Sequence, residues 1–176
     1  NTDYKNTLYS LFYQSETFIS SKTTLAMGLS YNGLTYDVSD YLVAAQSGVK
    51  KFKPQASPRI ALSHNFGNAL SLHGSISSGF SPPSGSEIKN VDGSINTRLQ
   101  AEKGINYEIN AKGNLFLSRL AYDLALFKMD MKGELIGQAV QQGITIYNNS
   151  GRTSHNGIEL ALSYLAIKEE DGKAVT

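Results

Sequence analysis

Large apolar residues in this chain recur at every second position, in runs too long for an ordinary strand. Leu25, Met27, Leu29 and Tyr31 interleave with Ala26, Gly28, Ser30 and Asn32. Side chains of a strand point to opposite faces in turn, so a period of two builds a ribbon with one apolar and one small or polar face. The pattern returns at Ile60/Leu62/His64/Phe66, Leu70/Leu72/Gly74/Ile76, Tyr107/Ile109/Ala111, Leu120/Tyr122/Leu124/Leu126 and Ile158/Leu160/Leu162/Tyr164. The connections alternate too: short over 20–22, 67–69, 113–118 and 168–173, long over 39–55 and 81–98, intermediate over 133–143. A meander with one short-turn edge and one long-loop edge is the layout of a transmembrane β-barrel.

Strands are expected over 5–19, 23–37, 59–66, 70–80, 99–112, 119–132 and 144–165, with an eighth starting at Ala174. Several exceed the roughly 5–6 residues usual in soluble sheets and reach the roughly 9–11 that a tilted spanning strand needs. The first strand has Leu8 and Phe12 on one parity and Tyr9, Leu11 and Tyr13 on the other, which leaves its facing open. In the sixth, the apolar parity switches from Leu124/Leu126 to Phe127/Met129/Met131; a β-bulge or emergence above the bilayer would each explain it. Pro58 fits a strand start, where its missing N–H costs nothing, and Pro82-Pro83 stop the strand before them. Phe18, Phe66, Phe116 and Tyr164 lie near short turns, and Tyr36, Tyr41, Phe80 and Tyr147 near long loops, as two interfacial girdles would.

Mean hydropathy is −0.25 and no run approaches 18 uninterrupted apolar residues, so a spanning helix is excluded. Alternation halves the hydropathy of a spanning strand, so the same value is compatible with a barrel. A net charge of +1, from 16 basic and 15 acidic residues scattered along the chain, gives no support for a nucleic-acid partner. The absence of Cys removes disulfides and thiol chemistry. The chain begins Asn1-Thr2-Asp3 without an initiator Met or a signal peptide and ends just past a turn, so it is expected to be a piece of a longer protein. Alternation alone leaves the faces interchangeable: a β-sandwich or a lipocalin-like barrel would carry the same pattern with inside and outside exchanged.

Short motifs ride on these strands in order. Gly28-Leu29-Ser30-Tyr31 is followed by Ser57-Pro58-Arg59-Ile60 and Ser78-Gly79-Phe80-Ser81-Pro82-Pro83. Then come Leu99-Gln100-Ala101-Glu102-Lys103-Gly104, Asn106-Tyr107-Glu108 and Asp123-Leu124-Ala125-Leu126-Phe127. Tyr147-Asn148-Asn149-Ser150-Gly151-Arg152-Thr153 and Gly157-Ile158-Glu159-Leu160 close the series. This set resembles the barrel of TonB-dependent outer-membrane receptors, over nearly the whole chain and most weakly in the first twenty residues. Ala101 stands where the family commonly has Pro, and Ser150 where Ala often precedes the Gly.

The resemblance implies an all-β fold, an antiparallel up-and-down transmembrane β-barrel of about 22 strands with a plugged lumen, of which this chain holds about seven to eight. It also implies short turns in the periplasm, long loops outside the cell, and a bacterial outer-membrane location. The plug domain and the closing C-terminal strand would lie elsewhere in the protein. Implied partners are outer-membrane lipid, the receptor's own plug, the TonB energy-coupling protein and a metal chelate as cargo, most simply a ferric siderophore. A passive porin-like or adhesin barrel and a soluble all-β binding module are the alternatives.

No enzyme is expected and no cofactor: His64, His73 and His155 lie apart, without carboxylate or thiolate partners at ligand spacing, and no nucleophile elbow or phosphate loop is present. Charge facing lipid is costly, so the polar parity should line the lumen, with Arg59, His73, Glu108, Arg119, Asp123 and Glu159 facing water or the plug. Cargo contact is expected of the long loops, through Tyr36, Tyr41, Lys50, Lys51, Phe52, Lys53, Phe80 and His155. The second loop, with only Ile88, Val91 and Ile95 as apolar residues, is expected to be polar and uninformative.

Overall fold

The computed structural model describes residues 2–141, 143–166, 168–170 and 173–175. Twelve strands follow in chain order: β1 (Thr2–Ser20), β2 (Thr23–Asp40), β3 (Gly48–Lys51), β4 (Gln55–Gly67), β5 (Leu70–Ser81), β6 (Glu102–Leu115), β7 (Leu120–Lys132), β8 (Leu135–Gln141), β9 (Ile144–Asn149), β10 (Arg152–Tyr164), β11 (Lys168–Glu170) and β12 (Lys173–Val175). The only helical element among the described residues is a single 3-10 turn, Ala44–Gln46. Seven long strands form one antiparallel sheet in the order β1-β2-β4-β5-β6-β7-β10, with β3 folded back onto β2; β8/β9 and β11/β12 are separate ribbons. The sheet is an open arc, β1 and β10 each having one strand partner.

Register converts the period of two into rows. Leu25 pairs with Leu62, Leu62 with Gly74, Gly74 with Ile109, Ile109 with Leu126 and Leu126 with Ile158, so one apolar row crosses six strands. That row is the lower end of the apolar run on β2 (Leu25 to Tyr31) and the upper end of the run on β10 (Ile158 to Tyr164). The apolar belt therefore slides about six residues along the strands over five strand-to-strand steps. At ~3.3 Å per residue and ~4.8 Å between strands this is a tilt of about 40°, within the range of membrane barrels. A level belt on tilted strands is what a bilayer imposes.

The two faces differ in crowding. Along β6, Lys103, Ile105, Tyr107 and Ile109 are exposed, while Glu102, Gly104, Asn106, Glu108 and Asn110 between them are half-buried. Side chains converge on the concave side of a curling sheet and splay on the convex side, so the sheet bends toward its polar face. Ile109 is 61% exposed and Ile158 74%, surface that water would not leave apolar on this scale. Register also settles the facing of β1: Tyr9, Leu11 and Tyr13 pair with Gly33, Tyr31 and Leu29 on the apolar face, and Leu8 and Phe12 fall on the polar one.

Several sequence expectations need correction. The stretch 39–55 is not one loop: β2 runs on to Asp40 and β3 returns along it, Val38 opposite Gly48. The expected single strand 144–165 divides at Ser150-Gly151 into β9 and β10, and 133–143 contains β8, which pairs with β9 around Gly143. Gly143 has φ +82°, a conformation that a side chain would strain. The strand expected from 99 begins at Glu102, because Leu99 and Ala101 are buried under the loops. Pro58 lies inside β4, where pairing to β5 begins only at Arg59. No bulge interrupts β7, whose register to β6 and β10 is continuous from Leu120 to Lys132. Its parity switch marks the top of the belt, where Lys128 and Asp130 replace Leu124 and Leu126 on the outer face. The strand expected at Ala174 is β12, which pairs with β11 and not with the main sheet.

Candidate functional site

The polar face carries its charges in separate rows. Arg59 shares a row with Ser77, Asn106, Met129 and His155. Glu108 lies one row nearer the short turns with Ser75 and Phe127, and His73 and Glu159 share the next with Ser63 and Asn110. Asp123 is below them opposite Lys112, and Arg119 sits at the β6–β7 turn, its N–H bonded to the Phe116 carbonyl. Asn110 donates to Asp123 at 2.6 Å, and Ser63 Oγ and His73 Nδ1 share a hydrogen bond of 2.8 Å. Among the described residues the ion pairs within 4 Å are Lys128–Asp130 and His155–Glu134, so Arg59, Glu108, Lys112 and Glu159 have no partner among them. The four groups Arg59, Glu108, Arg119 and Glu159 are not brought together: Arg59, Glu108 and Glu159 share one face at different heights, and Arg119 lies in the turn. A polar hollow of about 530 Å³, lined by Asn65, Ser71, Lys112, Asn114, Asp123 and Ser163, lies on this face at the short-turn end.

At the other end the long loops form a packed unit. On β2 the large apolar residues change parity above Gly33, from Leu25–Tyr31 to Leu34, Tyr36 and Val38. Above the bilayer the outer face is wet and the inner face is covered, so the burial preference inverts. Leu34, Tyr36, Val38, Phe52 and Ile88 make one buried cluster with Ile95 against it. Ile88 is 0% exposed, and Leu99 is buried nearby. The Tyr36 hydroxyl donates to the Pro83 carbonyl at 2.9 Å, and its ring meets Phe52 edge-on at 5.8 Å. Lys50 Nζ donates to the Thr97 carbonyl and lies 5.1 Å from the Phe52 ring centre. Burial pulls the Lys50 ammonium below its ordinary value and, with the Glu87 charge, pushes the Tyr36 phenol up.

The expectation of an uninformative second loop is overturned, because Ile88 and Ile95 are where it closes onto β2 and β3. Lys89 and Ile95 bridge across a small turn, and Asn96 N–H bonds to the Ile88 carbonyl at 2.6 Å. Asn149 ties this unit to β9 through reciprocal bonds with Gln100, at 2.8 and 2.9 Å.

The residues expected at the cargo surface divide accordingly. Tyr36, Lys50 and Phe52 are interior residues of the loop unit, drawn in by the apolar surface they share. Tyr41, Lys51 and Lys53 are exposed on it. Phe80 ends β5 on the apolar face opposite Lys103, and His155 lies on the polar face with Nε2 3.8 Å from the Glu134 carboxylate. Residues missed from sequence are Ile88, Leu99, Gln100 and Asn149; the parity change on β2 was the available signal.

Asp40 closes the top of β2. Its carboxylate accepts the Thr2 hydroxyl at 2.5 Å and the N–H groups of Leu42 and Val43 at 2.9 and 2.8 Å. These bonds, the Thr2 bond foremost, hold its pKa at about 2. A folded pKa below the unfolded one stabilises the turn at higher pH, so the contribution is present above pH ~4 and lost as pH falls through about 2. Carboxyl carbon-13 titration of Asp40 should give a midpoint near 2. A midpoint near the ordinary ~3.9 would mean that the bonds do not persist in solution.

A family model described as TonB dependent receptor-like, beta-barrel, matches residues 1–167. Among solved structures, the chain is similar to the alcaligin outer membrane receptor FauA from Bordetella pertussis, at 15% identity and TM-score 0.68, covering 94% of this chain and 28% of that one. It is similar to the ferric-catecholate import receptor Fiu from K12 E. coli at 14% identity and TM-score 0.71, covering 94% and 26%. It is similar to the copper transporter OprC at 16% identity and TM-score 0.80, covering 93% and 26%. At such identities the likeness concerns fold alone, and the chain spans about a quarter of the length of these proteins.

Proposed function

Because the chain belongs to the TonB-dependent receptor β-barrel family, whose members are outer-membrane transporters of Gram-negative bacteria and not enzymes, we propose that it forms the wall and outer loops of a receptor for energy-coupled uptake of a scarce nutrient. The cargo is a ferric siderophore or a related metal chelate. It is captured at the loop unit and passes through a lumen whose plug is remodelled by the TonB protein. The observation that carries this reading is the polar face, whose charges Arg59, Glu108, Lys112 and Glu159 lack ion partners among the described residues. Such charges suit a hydrated passage or a plug of matching charge. Exposed Lys51, Lys53 and Tyr41 put cationic and aromatic groups on a loop surface that also exposes Asp37 and Asp92, and these groups could meet an anionic chelate. FauA and Fiu, named for an alcaligin and a ferric-catecholate function, support the cargo class by analogy.

The test is uptake of a panel of labelled iron chelates by cells whose only such receptor is the full-length parent, with and without TonB. At least one chelate should accumulate in a TonB-dependent way under iron limitation. Charge reversal by Glu108→Lys with Glu159→Lys should reduce retention of the plug and uptake together. TonB-independent entry would assign a passive pore, and unchanged plug retention would remove these two glutamates from plug docking.

A further inference from the structure

One stretch of the polar face is not polar. On β7 the inward positions pass from Asp123 and Ala125 to Phe127, Met129 and Met131. Leaving the bilayer accounts for Lys128 and Asp130 on the outer face, but not for thioethers on the inner one. The chain has three methionines, and two of them occupy these neighbouring inward places. Met129 stands directly opposite His155 on β10, and Met131 opposite Thr153. The His155 ring leans toward the Met131 row, its Nε2 lying 3.3 Å from the Thr153 hydroxyl oxygen. The Glu134 carboxylate is 3.8 Å from the same nitrogen.

Neighbouring glycines make room for these side chains. Met131 Sδ lies over Gly104, 2.6 Å from where a Cβ would stand, and the Phe127 ring covers Gly157. Met129 and Met131 together line a hollow of about 310 Å³ with the inward residues Ser77, Gly79, Gly104 and Asn106. Two thioethers and an imidazole therefore share one patch of wall, with the Phe127 ring one row nearer the short turns. Opposite residues of a sheet have Cα atoms about 5 Å apart, and alternate residues of one strand about 7 Å. Methionine is unbranched and flexible, so both sulfurs can turn onto a point beside the His155 ring. Thioether sulfur is soft and uncharged. It offers little to hard Fe(III), which keeps its oxygen ligands, and it suits Cu(I). The Glu134 carboxylate stands close enough to offset the single charge of that ion.

We propose that Met129, Met131 and His155 bind one Cu(I) ion on the inner wall, at the height where β7 leaves the apolar belt. The site rests on the reading of this face as a passage wall, and it takes a bare soft ion where the proposed cargo is a chelate. Ligand softness selects the metal, and the register of β7 against β10 brings the imidazole to the sulfurs.

The full-length receptor, purified in detergent, is given Cu(I) under ascorbate in competition with a chromophoric Cu(I) chelator. It should take up the ion, with a sulfur shell visible in the copper X-ray absorption spectrum. In M129L/M131L, whose side chains are close in volume and equally apolar, one site per molecule should weaken at least about a hundredfold and lose its sulfur shell. H155Q should weaken the same site about tenfold and keep the sulfur shell. Unchanged affinity in M129L/M131L overturns the proposal. Displacement of Cu(I) by equimolar Zn(II) also overturns it, assigning the metal to His155 and Glu134 alone. TonB-dependent uptake of an iron chelate with no Cu(I) bound removes this site and leaves the receptor reading standing; Cu(I) bound at this site without such uptake does the reverse.

Discussion

Ile109→Arg in the full-length receptor should lower the stability of the inserted barrel by about 2–4 kcal/mol, the cost of a cationic side chain on the lipid face at the midplane. Ile109 lies in the middle of the row from Leu25 to Ile158, on the convex face, with 61% of its surface open. Once the belt faces lipid, its guanidinium must either reach the interface or bring water into the hydrocarbon. Ser75→Arg is the matched control. Ser75 is at nearly the same height but on the polar face, opposite Glu108, where a cation gains a partner. Urea unfolding from lipid vesicles should show a large shift for Ile109→Arg and one within about 1 kcal/mol for Ser75→Arg. The reverse order would exchange the two faces of the sheet.

Ile88→Asp should release the second long loop while the barrel stays folded. Ile88 is completely buried among Leu34, Tyr36, Val38 and Phe52. The donors near this cluster, the Tyr36 hydroxyl and the Lys50 ammonium, already serve the Pro83 and Thr97 carbonyls, and a buried charge left unpaired is among the few changes that cost several kcal/mol. The loss is local because the seven-strand sheet is held by its own ladders and by lipid. Tryptic cleavage at Lys89 and Arg98, both in the loop, should accelerate at least about a hundredfold, since ~3 kcal/mol of lost closure corresponds to that population of the open form. Ile88→Val, costing about 1 kcal/mol, should produce a small acceleration. Equal cleavage in all three proteins would mean that the loop is not closed on β2 and β3. The same experiment bears on Tyr36, Lys50 and Phe52, which become accessible to cargo only if this unit opens.

Much of the wall was legible before any fold was known. The long alternating runs at Leu25–Tyr31, Tyr107–Ala111 and Ile158–Tyr164 state their own periodicity, and a strand cannot use that period without dividing its faces. The short turns were equally plain, because Ser20-Ser21-Lys22 and Gly67-Asn68-Ala69 are small and polar between long apolar runs. Around 39–55, 81–98 and 133–149 the reading failed for one reason. Above the belt no lipid disciplines the pattern: β3 pairs with the upper end of β2, and β8 and β9 pair with each other. Ile88 looks like an isolated apolar residue in a Ser- and Gly-rich loop until Val38 and Phe52 are placed beside it.

Strand period and turn chemistry are local properties of the chain, and they alone make this protein a meander of two-faced strands with one tight edge and one elaborate edge. Which residues stand abreast is a property of the assembled sheet: the belt that slants across six strands, the polar charges left at separate heights, and Lys103, Lys132 and Arg152 in one row. Those adjacencies depend on the offset between strands, set by the height at which each enters the bilayer. No window of sequence short enough to be local contains both members of such a pair.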